Sequence, residues 1–283
     1  MHIEKLAAYY DSKLDEIKAN YYLALKRNDP DGVHDLRVEL KRLKAFFNLV
    51  ESVNTSFMAK KRFADFKLIA KKIASLRDSQ VQIELLSELK PRTRMDLFPG
   101  IGFPVFIKKK ESEAINSFLE FTKTYPLENL NSMRKIILKA LHEVPSDKAI
   151  AKATERFFYL KSELAKTVRE DVIREQTLHK VRILTKETHY TLEILQKCFG
   201  LYEDAKIFVD EVKKTHQALG KWHDFEVGLV YINRYLVDDG APFEECKILA
   251  VRYRSEKRRL VNQAKIAFAN YQDHPEIFGE EMP

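Results

Sequence analysis

The sequence predicts an all-α protein, nearly all helix from end to end. Three observations carry this. Glycine is scarce, eight in 283 residues, about 3% against the usual ~7%. Prolines fall between long stretches of helical periodicity and do not interrupt them. No stretch alternates with period two for long, and no Asn-Gly or Asp-Gly pair links two apolar runs.

In chain order, helices are expected at about 2–27, 30–53, 56–76, 78–90, 104–124, 127–142, 147–171, 174–198, 202–219, 221–238 and 243–270. Asp29-Pro30 reads as a start, with Asp29 capping and proline at the first helical position. Gly200 and Gly240 read as stops. The segment from Lys90 to Pro104 is expected as a loop, and the polar residues from Tyr271 as a frayed tail. Gly100-Ile-Gly102 lacks the third glycine of a dinucleotide fingerprint, because Val105 holds that place.

Composition narrows the function. The chain is 45% hydrophobic and 32% charged, enough for a sizeable core. Lys and Arg number 49 against 42 Asp and Glu, a net charge of +7. That excess points to a basic face and an anionic partner, not a polybasic tail. Two cysteines, Cys198 and Cys246, exclude a disulfide scaffold and a cysteine zinc site and fit a reducing compartment. No apolar run reaches the roughly 20 residues of a membrane span. MHIEKLAAYYDSKLDE is acidic and amphipathic and does not read as a signal peptide. The expectation is a cytoplasmic protein without a membrane partner.

The informative feature is a repeat. Residues 33–50 read VHDLRVELKRLKAFFNLV and residues 178–195 read LHKVRILTKETHYTLEIL. His34, Arg37 and Lys41 recur 145 residues later as His179, Arg182 and Lys186. A second block, Ile73 to Asp78, meets Leu219 to Asp224 at an offset of 146. That places a first bundle at 1–125, a connecting helix or linker at 126–144, a second bundle at 145–270 and a tail at 271–283.

On a helix, Val33, Leu36, Leu40, Leu43, Phe47 and Val50 form a core seam. Each of the first four is followed by a cationic or titratable residue: His34, Arg37, Lys41, Lys44. These make a second row spanning about 15 Å within an arc of some 80°, suited to an extended polyanion. In the second copy Thr185 and Thr188 replace Leu40 and Leu43. The row persists there as His179, Arg182 and Lys186, with His189 last. The bland alternative is a solvated face. Asp35 and Glu39 fall a position or two off the row and are expected to point elsewhere.

The blocks VHDLRVELKRLK, LHKVRILTKETHY, SLRDSQV and LGKWHDFEV resemble the CHAD family, the conserved histidine α-helical domain, over roughly residues 1–270. The resemblance implies two four-helix bundles from an internal duplication, related by a pseudo-two-fold, with a basic cleft or pore between or through them, and binding of inorganic polyphosphate without catalysis. It carries the functional row onto His34, Arg37, Lys41, Arg42 and Lys44, then His179, Arg182 and Lys186. Glu187 and His189 stand where the family tends to place arginines.

Chemistry agrees with such a ligand. Arginine gives always-charged bidentate hydrogen bonds to phosphate, and lysine gives point charges. The histidines are either structural or add a cation near the anion. Asp78 and Asp224, with Arg77 and His223 beside them, are expected to support: an anion in the groove would repel the ligand, so the aspartates orient arginines or cap helices. Lys108 and Arg258 are candidate auxiliary contacts.

Two rival functions remain. One is an HD-type metal-dependent phosphohydrolase, drawing on His34-Asp35 and His223-Asp224 with His2, His189, Asp78 and Asp238. Against it, the repeat mates of His223 and Asp35 are Arg77 and Lys180, cations that a metal site would not tolerate. The other is a nucleic-acid-binding helical protein, disfavoured because Phe46, Phe47, Tyr21 and Tyr22 fall at core spacing rather than as a stacking platform. His-Glu-x-x-His, Gly-x-Ser-x-Gly, the P-loop and the Glu-x-Glu-x-Lys strand motif are absent, so neither catalytic residues, a metal nor a cofactor is expected.

Overall fold

The computed structural model describes residues 2–27, 29–89, 102–125, 127–168, 175–203 and 205–273. Every regular element among them is helical: α1 (His2–Arg27), α2 (Pro30–Val53), α3 (Ala59–Arg62), α4 (Ala64–Glu88), α5 (Gly102–Thr124), α6 (Met133–His142), α7 (Ser146–Val168), α8 (Glu175–Phe199), α9 (Lys206–Asp238) and α10 (Phe243–Asp273), with 3-10 turns at Thr55–Phe57 and Leu127–Ser132. The fold is all-α. Most of the expected loop, 90–101, and of the expected tail, 274–283, lies outside the described residues.

α2 starts where its sequence signals place it. The Asp29 carboxylate accepts from the Asp31 amide at 3.3 Å, and Pro30 opens the helix. α8 and α9 are followed by Gly200 (φ +68°) and Gly240 (φ +64°), left-handed residues that a Cβ would strain.

Two expected breaks do not exist. α4 runs unbroken through Arg77-Asp78, and α9 runs unbroken through Gly220. A glycine inside a helix costs about 1 kcal/mol, less than burial of the α9 residues Leu219, Trp222 and Phe225 returns. The break in this region comes earlier, at Met58 (φ +51°). There Glu51 accepts from the Ala59 amide at 2.9 Å, and the short α3 begins.

The core is built on α2. Val33, Leu36, Leu40, Leu43, Phe47 and Val50 are all at most 2% exposed. Phe47 meets Phe57, Phe63 and Phe66 edge to face. α2 packs against α1, α4, α7 and α8, and α9 packs against α8, α4 and α10. The threonines of α8 tolerate burial because they bond their own helix: Thr185 to the Val181 carbonyl at 2.7 Å and Thr188 to the Leu184 carbonyl at 2.8 Å. Phe46, Phe47 and Tyr21 are core as expected, whereas Tyr22 is exposed.

α4 and α9 meet closely. Gln82 donates to the Asp224 carbonyl at 2.9 Å, and Ser79 and Tyr231 share a hydrogen bond at 3.2 Å. Beside this contact a Cβ on Gly228 would overlap the Tyr253 ring and the Gln82 amide oxygen, so only glycine lets α4 and α10 approach α9 there.

Candidate functional site

α2 and α8 pack side by side and bring their cationic rows together. Arg37 is fixed first: its Nη1 donates to Asp78 at 2.9 Å and to the Ala74 carbonyl at 3.2 Å, both on α4. Lys41, one turn on, feels Arg37 and Arg182 as like charges and Asp224 and Asp78 as opposite ones. Lys186 feels Lys41, Arg182 and Arg37 against Asp224. Four cations from two helices thus share one half-buried cluster with two carboxylates, one from α4 and one from α9.

The electrostatic consequence is large. Desolvation, followed by the neighbouring cations, pushes the Lys41 ammonium down to about 8 and Lys186 down to about 6. Arg182 is also lowered, mainly by burial, and its Nε is buried with no hydrogen-bond partner. Asp224 is raised by burial even though Arg182 and Arg37 pull it down. The cluster holds more positive charge than it can neutralise from within.

The remaining expected residues divide. Lys44 is exposed and lines the cleft with Lys41. His34 and His179 are exposed at one end of the rows. The Arg77 charge adds to desolvation in lowering His34, and Arg77 itself pairs with Glu84 at 2.8 Å. The His179 ring stands 5.9 Å from that of His223. His223 is pushed down to about 4 by burial and then by Arg182. His189 is lowered by burial, and its Nδ1 is buried without a partner.

Arg42 does not join the cluster. It sits on the opposite side of α2, in ion pairs with Glu39 and, at 3.2 Å, with Glu193. Glu39 also meets Lys13 at 2.9 Å and is 4% exposed. The expectation that Glu39 points away from the row holds, and it takes Arg42 with it. Glu187 is bonded to Arg156 and to Asn48 and lines a small cavity together with Lys41, Lys44, Arg182 and Lys186.

His216 was missed by sequence reading. It lies on α9, where burial and then the Lys186 and Lys41 charges drive it down to about 3. The corresponding position 145 or 146 residues earlier has no histidine, so the repeated pattern gave no signal. Lys257 on α10 is 13% exposed, paired with Glu175 and Glu226, and lies over Trp222.

The residues named for an HD-type metal site do not converge. His34 faces Arg77 and His223 faces Arg182. Among the described residues no three His, Cys, Asp or Glu side chains gather as a metal would require, and no helix is long and apolar enough to cross a membrane.

Known proteins place this arrangement. Two solved structures share the fold. One is the crystal structure of the CHAD domain from the plant Ricinus communis, 17% identical over 94% of this chain and 91% of that one, with a TM-score of 0.77. The other is PptA from Streptomyces chartreusis, 15% identical over 96% of this chain and 99% of that one, with a TM-score of 0.66. No curated protein matches in sequence. The CHAD domain model matches residues 8–229, a span that holds both cationic rows and both aspartates. The chain therefore belongs to the CHAD domain family.

Proposed function

We propose that the protein binds inorganic polyphosphate along the facing rows of α2 and α8, without chemistry on the chain. The observation that carries this is the cluster of Arg37, Lys41, Arg182 and Lys186 around only Asp78 and Asp224. Cations held this close in a half-buried cleft are unfavourable unless something anionic joins them. A flexible polyanion without base edges suits a row of donors that carries no aromatic platform for stacking.

Arg37 and Arg182 supply the directed hydrogen bonds, while Lys41, Lys186 and the exposed Lys44 supply charge. Asp78 orients Arg37. His34 and His179 stand at the mouth, where they extend the row whenever protonated. We read the two rows as products of one duplication, with halves at 1–125 and 145–270. A cytoplasmic setting agrees with two free, buried cysteines.

Direct titration tests the reading. Polyphosphate should bind with log affinity falling linearly against log salt, at a slope of about −3 to −4 if each of the four clustered cations neutralises one phosphate charge. Single- and double-stranded nucleic acid should compete weakly. A flat salt response would overturn electrostatic capture, and tighter binding of DNA or RNA would replace polyphosphate with nucleic acid.

A further inference from the structure

One part of the cleft is wasted on an inorganic ligand. Next to the cationic cluster, α2, α3 and α4 enclose a cavity of about 530 Å³, half open to solvent. Its floor is Leu40, Ala59, Phe63 and Ala70. Its rim is Arg37, Lys41, Lys44, Lys60 and Lys67, and no carboxylate lines it. It joins a smaller cavity of about 160 Å³ that reaches Arg182 and Lys186, through the shared residues Lys41, Lys44 and Asn48; the carboxylate lining that second cavity, Glu187, is itself paired with Arg156. Phosphate groups are fully solvated anions and gain nothing from Leu40 or Phe63. An apolar floor with a few convergent polar groups is the character of a small-molecule pocket, and this volume lies in the usual range of about 300–1,000 Å³.

We propose that this cavity takes the base and sugar of a nucleoside oligophosphate whose phosphate tail lies on the cluster of Arg37, Lys41, Arg182 and Lys186. The inference rests on the polyanion reading and extends it to a class of organic ligand. Charge complementarity sets the direction: the tail meets the cations and the flat ring meets the floor. A half-open cleft suits a planar heterocycle, which gains from one apolar or aromatic face. Asn48 gives that ring an anchor. Its amide nitrogen already donates to Glu187 at 3.0 Å, so its carbonyl oxygen stays available to accept from an exocyclic amine such as that of adenine.

The experiment is calorimetric titration of the full chain with ATP, tripolyphosphate and long-chain polyphosphate in the same metal-free buffer. Tripolyphosphate carries at least as much charge as ATP and has no organic part. ATP is expected to bind roughly tenfold tighter, about 1.4 kcal/mol. The Ala70→Leu variant fills the floor at a half-buried helix position. It is expected to erase the preference for ATP while leaving tripolyphosphate affinity unchanged, and that unchanged affinity also reports a folded site. Equal or weaker binding of ATP overturns the nucleotide proposal and leaves the polyphosphate reading standing. So does an equal loss of both ligands in Ala70→Leu, with circular dichroism unchanged. Failure of all three ligands to bind overturns both.

Discussion

Two charged clusters sit on opposite sides of α2, and their contrast separates structure from function. In the first, Lys13 and Arg42 are met by Glu39 and Glu193. The carboxylates hold Lys13 and Arg42 in their charged forms, raised above their ordinary values despite burial. Burial pushes Glu39 up against the pull of Lys13 and Arg42, while Glu193, hydrogen-bonded by Lys197 and beside Arg42, is lowered despite burial. In the second, Arg37, Lys41, Arg182 and Lys186 share Asp78 and Asp224, and both lysines are pushed down. The first cluster is balanced from within and needs no partner. The second carries an excess of positive charge, the excess that the proposed polyanion would balance.

The largest test sets the two sides against each other. Glu39→Ala would leave buried Lys13 with Glu16 alone and Arg42 with Glu193 alone, and breaking a buried pair from one side costs up to about 3–5 kcal/mol. Urea unfolding should show that loss. Lys186→Met on the other side should leave stability unchanged or raise it at pH 7, while polyphosphate binding falls. A stability loss of similar size in both variants would erase the distinction.

A second, smaller effect concerns affinity. Arg37→Ala and Arg182→Ala should each weaken polyphosphate binding by about 1.5–3 kcal/mol, the range for charge-assisted hydrogen bonds. Exposed Lys44→Ala should lose less than about 1 kcal/mol. Equal, negligible losses from both arginines would move the site away from α2 and α8.

The third effect is graded with pH. The folded values of Lys186 and Lys41 lie below the ordinary lysine value, so the unfolded chain binds more protons between about pH 6 and 10.5. Stability of the free protein should then rise as pH is raised through that window and be lost as it falls. Bound polyphosphate reverses the preference, because it draws protons onto both lysines. Affinity should therefore increase from pH 9 to pH 7 by up to about tenfold per unit for each proton taken up. Calorimetry in buffers of different ionisation enthalpy would count those protons. Lys41→Met should shrink the uptake, and a response unchanged by it would return the pH dependence to the histidines.

The rows were legible because the same residue pattern occurs twice, 145 residues apart: Arg37 and Lys41 meet Arg182 and Lys186 in space as they align in sequence. Arg42 was misplaced. Helical phase puts it next to Lys41, but only the fold reveals Glu39 and Glu193 waiting on its side. The breaks expected at Arg77-Asp78 and Gly220 failed because local propensity is weaker than the packing of neighbouring apolar residues. His216 and the apolar floor of Ala59, Phe63 and Ala70 carried no sequence signal. Their roles depend on which elements cross, and no periodicity within one helix encodes that.

Gly228 bears on all of this without carrying charge or touching the cleft. It acts as a gauge block. Where α9 crosses α4 and α10, the missing side chain sets how far apart those helices stand, and Gln82 reads that separation one turn away as its bond to the Asp224 carbonyl. A single added carbon would work as a shim, widening the gap and tilting Asp224 away from Arg182. The placement of Asp224 beside the cations is thus machined at a residue that no survey of basic side chains would inspect.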